Sequence, residues 1–160
     1  MKSNVLKIVK WIFISPAILV LLAVAFCEIN KAYWDNKVDT LCAKDGGVTI
    51  YERVSASRSA YPMIKLTSTN QPIIPFDRYA NDEDPFYMTA KTTFLESKWI
   101  SLARYEQTII RREDKKTLSR IISYGRSGGD FPTGFHPSHY LCRKVNDDIA
   151  KFSTTVVIKE

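Results

Sequence analysis

The longest unbroken apolar stretch runs from Trp11 to Cys27, WIFISPAILVLLAVAFC, 17 residues without a charge between Lys10 and Glu28. A helix of that length reaches about 25 Å, the short end of what crosses a bilayer and slightly long for the apolar core of a secretory signal. An uncleaved anchor is the expected form, because Val20-Leu21-Leu22 carries the helix without a break into Ala23-Val24-Ala25, the A-x-A site at which cleavage near Ala25 would otherwise release the chain. Lys2, Lys7 and Lys10 precede the run with no acid among them, whereas positions 28–39 mix both signs. The expected topology is therefore a cytoplasmic flank at 1–10, a single span of the inner membrane at 11–27, and residues 28–160 outside.

Beyond the span the pattern changes. Ile29, Ala32, Tyr33, Val38, Leu41 and Cys42 recur mostly at three- and four-residue spacings and Gly46-Gly47 follows, which predicts a helix over 28–45, continuous with the span or broken near Asn36. Val48 to Val54 alternates and is rich in β-branched residues, predicting one strand, with 55–60 a polar loop and 63–66 a short edge segment. Pro72, Pro75 and Pro85 argue against regular structure over 67–85. Strands are expected over 86–94, 99–112 and 117–126, the last two joined at the charged turn Glu113-Asp114-Lys115-Lys116, and 152–158 offers a final β-branched run. The fold class expected is α+β, with a helix packed on a small, mainly antiparallel sheet.

Composition narrows this picture. With 45% hydrophobic and 25% charged residues, the roughly 130 residues after the leader suffice for one core and hence one domain at 28–160. The net charge of +6 falls to +3 once the three leader lysines are set aside, and no basic stripe remains, so no nucleic-acid partner is expected. The bilayer is the first partner implied, and a protein of the envelope the second.

Export governs the cysteines. Cys27 lies at the membrane boundary, after a Phe26 too bulky for a lipoprotein signal, while Cys42 and Cys142 fall in the exported part, where oxidation is favoured and a disulfide between them is expected. Such a bond closes a loop of about 100 residues, worth roughly 4 to 5 kcal/mol in the chain-entropy model.

The densest group of special residues is 128–142, GGDFPTGFHPSHYLC, which holds both histidines of the chain. Its glycines and prolines predict an irregular path, and Asp130, Phe131, Phe135, His136, His139 and Tyr140 are its candidate binding residues. Convergence of Asp130, His136 and His139 would make a metal or general-base site, but Pro137 interrupts any helix that would align the two imidazoles. No phosphate loop, dinucleotide fingerprint or nucleophile elbow is present, and Asp82-Glu83-Asp84 lacks the spacing of a calcium loop. No cofactor, metal or catalytic residue is assigned.

The segment Cys42-Ala43-Lys44-Asp45-Gly46-Gly47-Val48-Thr49-Ile50-Tyr51-Glu52, together with Tyr124 to Cys142, resembles a group of small bacterial exported proteins that pair C-x-x-D-G-G-x-x-x-Y-E with G-G-D-x-P-x-x-x-H-P-S ending in cysteine. The resemblance implies that the two blocks belong together, which agrees with the disulfide; it carries over no activity, cofactor or partner. His139 and Tyr140 depart from that group's small or polar residues, which weighs against a two-histidine site. The function class expected is a non-enzymatic, membrane-tethered binding domain; the alternative is an exported metal-binding protein or hydrolase centred on Asp130, His136 and His139.

Overall fold

One helix, α1 (Lys2–Asp45), accounts for the first quarter of the chain in the computed structural model, and it runs through Asn36 without a break and accommodates Pro16 in its interior. The structure describes residues 2–60, 62, 64–67, 72–97, 100–128, 139–142, 152 and 154–159, with side chains from 16 onward except 56, 158 and 159. The helix ends where the sequence supplies glycine: Gly46 donates its N–H to the Cys42 carbonyl at 2.9 Å, and Gly47 turns the chain at φ 127°, a conformation that favours glycine.

The strands that follow are β1 (Gly47–Ile50), β2 (Val54–Ser57), β3 (Phe86–Ser97), β4 (Ser101–Arg111), β5 (Thr117–Ser127), β6 (His139–Leu141) and β7 (Val156–Lys159). The main sheet has the order β1-β5-β4-β3, all antiparallel, and β6 pairs with the far end of the same β5 edge that β1 occupies. β5 is thus flanked along one side by β1 at Ser119–Ile122 and by β6 at Gly125–Ser127. The chain is α+β: an apolar N-terminal helix, then an antiparallel sheet, stapled by a Cys42–Cys142 disulfide with Cα atoms 6.1 Å apart.

Alternation divides the sheet into two faces. On one, Ile122 and Tyr124 of β5 and Leu102 of β4 meet Val38 and Cys42 of α1, and all five are buried. On the other, Ile109, Ser119 and Ile121 are buried, and Thr155 brings its Oγ1 within 2.9 Å of Ser119 Oγ. Both hydroxyls are fully enclosed, and Thr155 Oγ1 also lies 2.7 Å from the Phe152 carbonyl oxygen.

Several expectations change. The single strand over 48–54 is two: the N–H groups of Tyr51 and Glu52 both donate to the Leu118 carbonyl, at 2.8 and 3.0 Å, so the ladder stops there. Val54–Ser57, expected as the end of that strand and the start of a loop, instead pairs in parallel with β7 as a separate two-stranded sheet. Of the 152–158 run, the described strand begins at Val156 and continues as β7 to Lys159. The edge segment at 63–66 reduces to one bridge between Leu66 and Pro72, with Met63 outside the described residues, as is Trp99. The helical face named for 28–45 is buried only in its second half: Ile29 is 71% and Tyr33 61% exposed, because α1 stands clear of the sheet until Trp34.

Candidate functional site

Three acidic side chains fasten α1 across the strands. Asp35 accepts from Arg126 Nε at 2.5 Å, Asp39 from the Tyr140 hydroxyl at 2.8 Å, and Asp45 from both the Tyr124 hydroxyl at 2.8 Å and Arg104 Nε at 3.0 Å. A carboxylate at a helix C-terminus opposes the macrodipole, so Asp45 depends on these donors. The Tyr124 hydroxyl, then Arg104, hold its carboxyl below the ordinary value, while burial, and then the bond to Asp45, push the Tyr124 phenol up. Arg104 also pairs with Glu106, which lies 3.7 Å from Arg120. Asp35, Asp45 and Glu106 each have an arginine beside them and Asp39 has the neutral Tyr140 hydroxyl, and the arrangement is that of a lock.

The opposite face has a different character. There β4, β5 and β6 frame a cavity of about 500 Å³ lined by Tyr105, Gln107, Ile121, Ser123, Arg126, Ser127, His139 and Leu141. These residues follow from register: Tyr105 lies across from Ser123, Gln107 from Ile121, and Ser127 from His139, so each pair projects to one side. Gly125 keeps the wall open, since a Cβ there would fall 2.5 Å from Leu141 Cδ2 and 3.2 Å from Tyr105 Cε2.

Ser127 Oγ and His139 Nδ1 are 2.8 Å apart at one end of the cavity. A hydroxyl bonded to an imidazole is the beginning of a nucleophile–base pair, which also needs a third group to orient the imidazole. Among the described residues no side chain bonds His139 Nε2, and the Ser127–His139 bond is what their position as cross-strand neighbours produces. Among the described residues no three His, Cys, Asp or Glu side chains converge to hold a metal ion.

Of the binding residues read from the sequence, Asp130, Phe131, Phe135 and His136 lie outside the described residues. His139 is exposed at the cavity, whereas Tyr140, the next residue on β6, faces α1 and bonds Asp39. The segment 139–141, expected to follow an irregular path, is strand. Tyr105, Gln107, Ile121 and Ser123 were missed because their alternation reads as ordinary strand; only the pairing of β4 with β5 gathers them. Comparison with protein families, curated proteins and solved structures returns no match to this chain.

Proposed function

We propose that the chain is a single-pass, membrane-tethered protein of the cell envelope whose residues 28–160 form one extracytoplasmic binding domain. The observation that carries this reading is the continuity of α1, which passes without a break from a bare apolar segment into the disulfide-bonded core. Leu19, Leu21, Leu22 and Phe26 are each more than 60% exposed, an arrangement costly in water and favourable in lipid. The three lysines before the span favour an N-terminus in the cytoplasm, and the disulfide fits an oxidising compartment outside it.

Binding is assigned to the cavity on the sheet face away from α1. Its volume falls within the range of ligand sites, and it combines apolar walls at Ile121 and Leu141 with a few polar groups at Gln107, Ser123 and His139. The partner expected is an envelope protein segment presenting an apolar side chain beside a hydrogen-bonding group.

Protease added to intact spheroplasts should digest the domain; protection until lysis would reverse the orientation. A photoreactive benzoylphenylalanine in place of Tyr105 should form one discrete adduct in membranes, lost when Leu141 is changed to Arg. Adducts equally abundant from Glu113, on the distal turn, would remove the cavity from the reading. Labelling of Ser127 by a fluorophosphonate would replace binding with hydrolysis.

A further inference from the structure

The far end of the β3–β4 hairpin carries two apolar side chains that the fold does not use. Phe94 is 64% and Leu95 44% exposed, and a register shift between Phe94 and Glu96 leaves Leu95 as an extra residue on β3. Such bulges at sheet edges re-aim side chains or end pairing. All of β3 from Ala90 to Ser97 is exposed, whereas Ile100 in the connecting turn is buried, so the open apolar side chains of the described part of the tip are Phe94 and Leu95.

Its position in the fold is fixed by two sets of contacts. The bond from Arg126 to Asp35 precedes, along α1, the bond from Tyr124 to Asp45, so the helix runs against β5. The C-terminal end of β5 is therefore the end nearest the apolar segment of α1. Ser127 pairs with Ser101, Ser101 with Ser97, and Ala103 with both Gly125 and Phe94, which places the hairpin tip at that same end, level with Asp35.

The bilayer surface on this reading lies close by. The uncharged run of about 25 Å falls short of a hydrocarbon core of about 30 Å, so the lipid boundary extends past Cys27 toward the exposed Ile29. Tyr33 and Trp34, edge to face with centroids 5.5 Å apart, then supply the aromatic pair typical of the interface, one or two residues before Asp35.

We propose that Phe94 and Leu95 rest in the headgroup layer of the bilayer that α1 enters, giving the domain a second contact with lipid beside its tether. The inference rests on the tethered reading above. The contact fixes the tilt of the sheet over the membrane and holds the cavity face at a constant height.

The test uses the full chain, with Cys27→Ser, in phosphatidylcholine–phosphatidylglycerol vesicles. A nitrobenzoxadiazole label is placed singly at Ser97→Cys beside the tip, at Glu113→Cys on the distal turn, or at Val24→Cys in the helix. Quenching by a headgroup nitroxide should be several-fold stronger at position 97 than at 113. It should fall to the level of 113 when Phe94→Glu and Leu95→Glu are added, while the label at 24 stays quenched by an acyl-chain nitroxide. Both tip residues are exposed, and loss of the domain's resistance to limited proteolysis would identify a variant that had unfolded; Phe94→Ser alone then serves in its place. Equal quenching at 97 and 113 with a lipid-buried label at 24 would overturn the tip contact and leave the tether standing. A label at 24 in water would overturn both.

Discussion

Arg126 of β5 donates from Nε to the carboxylate of Asp35 on α1, 91 positions earlier in the chain and 2.5 Å away, and its side chain is 1% exposed. The same guanidinium donates to the Gly128 carbonyl at 2.6 Å. Removing the Asp35 carboxylate takes a counter-charge from a guanidinium already out of water. We expect Asp35→Ala to destabilise the domain by roughly 3 to 5 kcal/mol in urea titrations. Asp35→Asn, which keeps an acceptor, should cost less; equal loss in both would mean that charge plays no part.

Cys42 and Cys142 are each 3% exposed and join the last turn of α1 to the residue after β6. Replacing both with serine should lower stability by about 4 kcal/mol in the chain-entropy model. In the unreduced, denatured wild-type protein, maleimide should reach Cys27 alone. Modification of either core cysteine there would contradict the bond.

The Asp45 lock sets a dependence on pH. Its carboxyl is held down by the Tyr124 hydroxyl first and Arg104 second, so the unfolded chain takes up the proton more readily. The stabilisation is thus complete above the unfolded value of about 4 and is lost as pH falls through the folded one. Tyr124, raised by burial and by Asp45, contributes in the opposite sense: its share is full below about pH 10 and lost above. Glu52, held down by Lys116 and then Arg111, and Asp114, held down by Arg111, share the acid-side sign. Asp45→Asn should therefore make the fall in stability between pH 5 and 3 shallower without abolishing it, as read by denaturant midpoints across that range.

Gly46 and Gly47 form the junction between helix and sheet. A Cβ on Gly46 would approach the Cys42 carbonyl oxygen to 2.7 Å and its Cα to 2.9 Å, both backbone atoms with no freedom to swing aside. Gly47 sits at φ 127°. Gly46→Ala and Gly47→Ala should each cost about 1 to 3 kcal/mol in thermal or urea unfolding. An unchanged Gly46→Ala protein would show that the last helical turn yields freely.

What the sequence made legible was local or covalent. The uncharged run, the stop at Gly46-Gly47, the turn between β4 and β5, and the Cys42–Cys142 bond all depend on residues that signal their state wherever they are placed. The missed features depend on partners. Val54–Ser57 reads as the end of a strand and the start of a loop because its hydrogen bonds go to β7, about 100 residues away and parallel to it. Ile29 and Tyr33 continue a helical stripe that the sheet is too short to cover. The cavity was hidden for a related reason: Tyr105 and Ser123 alternate as any strand residues do, and become one wall only when β4 lies beside β5. By contrast, 128–142 stands out for its unusual residues, of which His139 reaches the cavity.

The sheet order also dictates a sequence of events in time. β3, β4 and β5 are consecutive antiparallel strands joined by short connections, whereas β1 reaches β5 only across positions 51–116, which hold β2, β3 and β4. Contacts between chain neighbours form with less loss of entropy than distant ones, so the three-strand meander is expected to assemble first and the β1 arm, with α1 behind it, to dock last. Pulsed hydrogen exchange during refolding should protect the amides of Tyr105 and Ser123 before those of Val48 and Thr49. Until that docking occurs, the two cysteine thiols stay apart, and an exported chain held at this stage would expose them to the wrong partners.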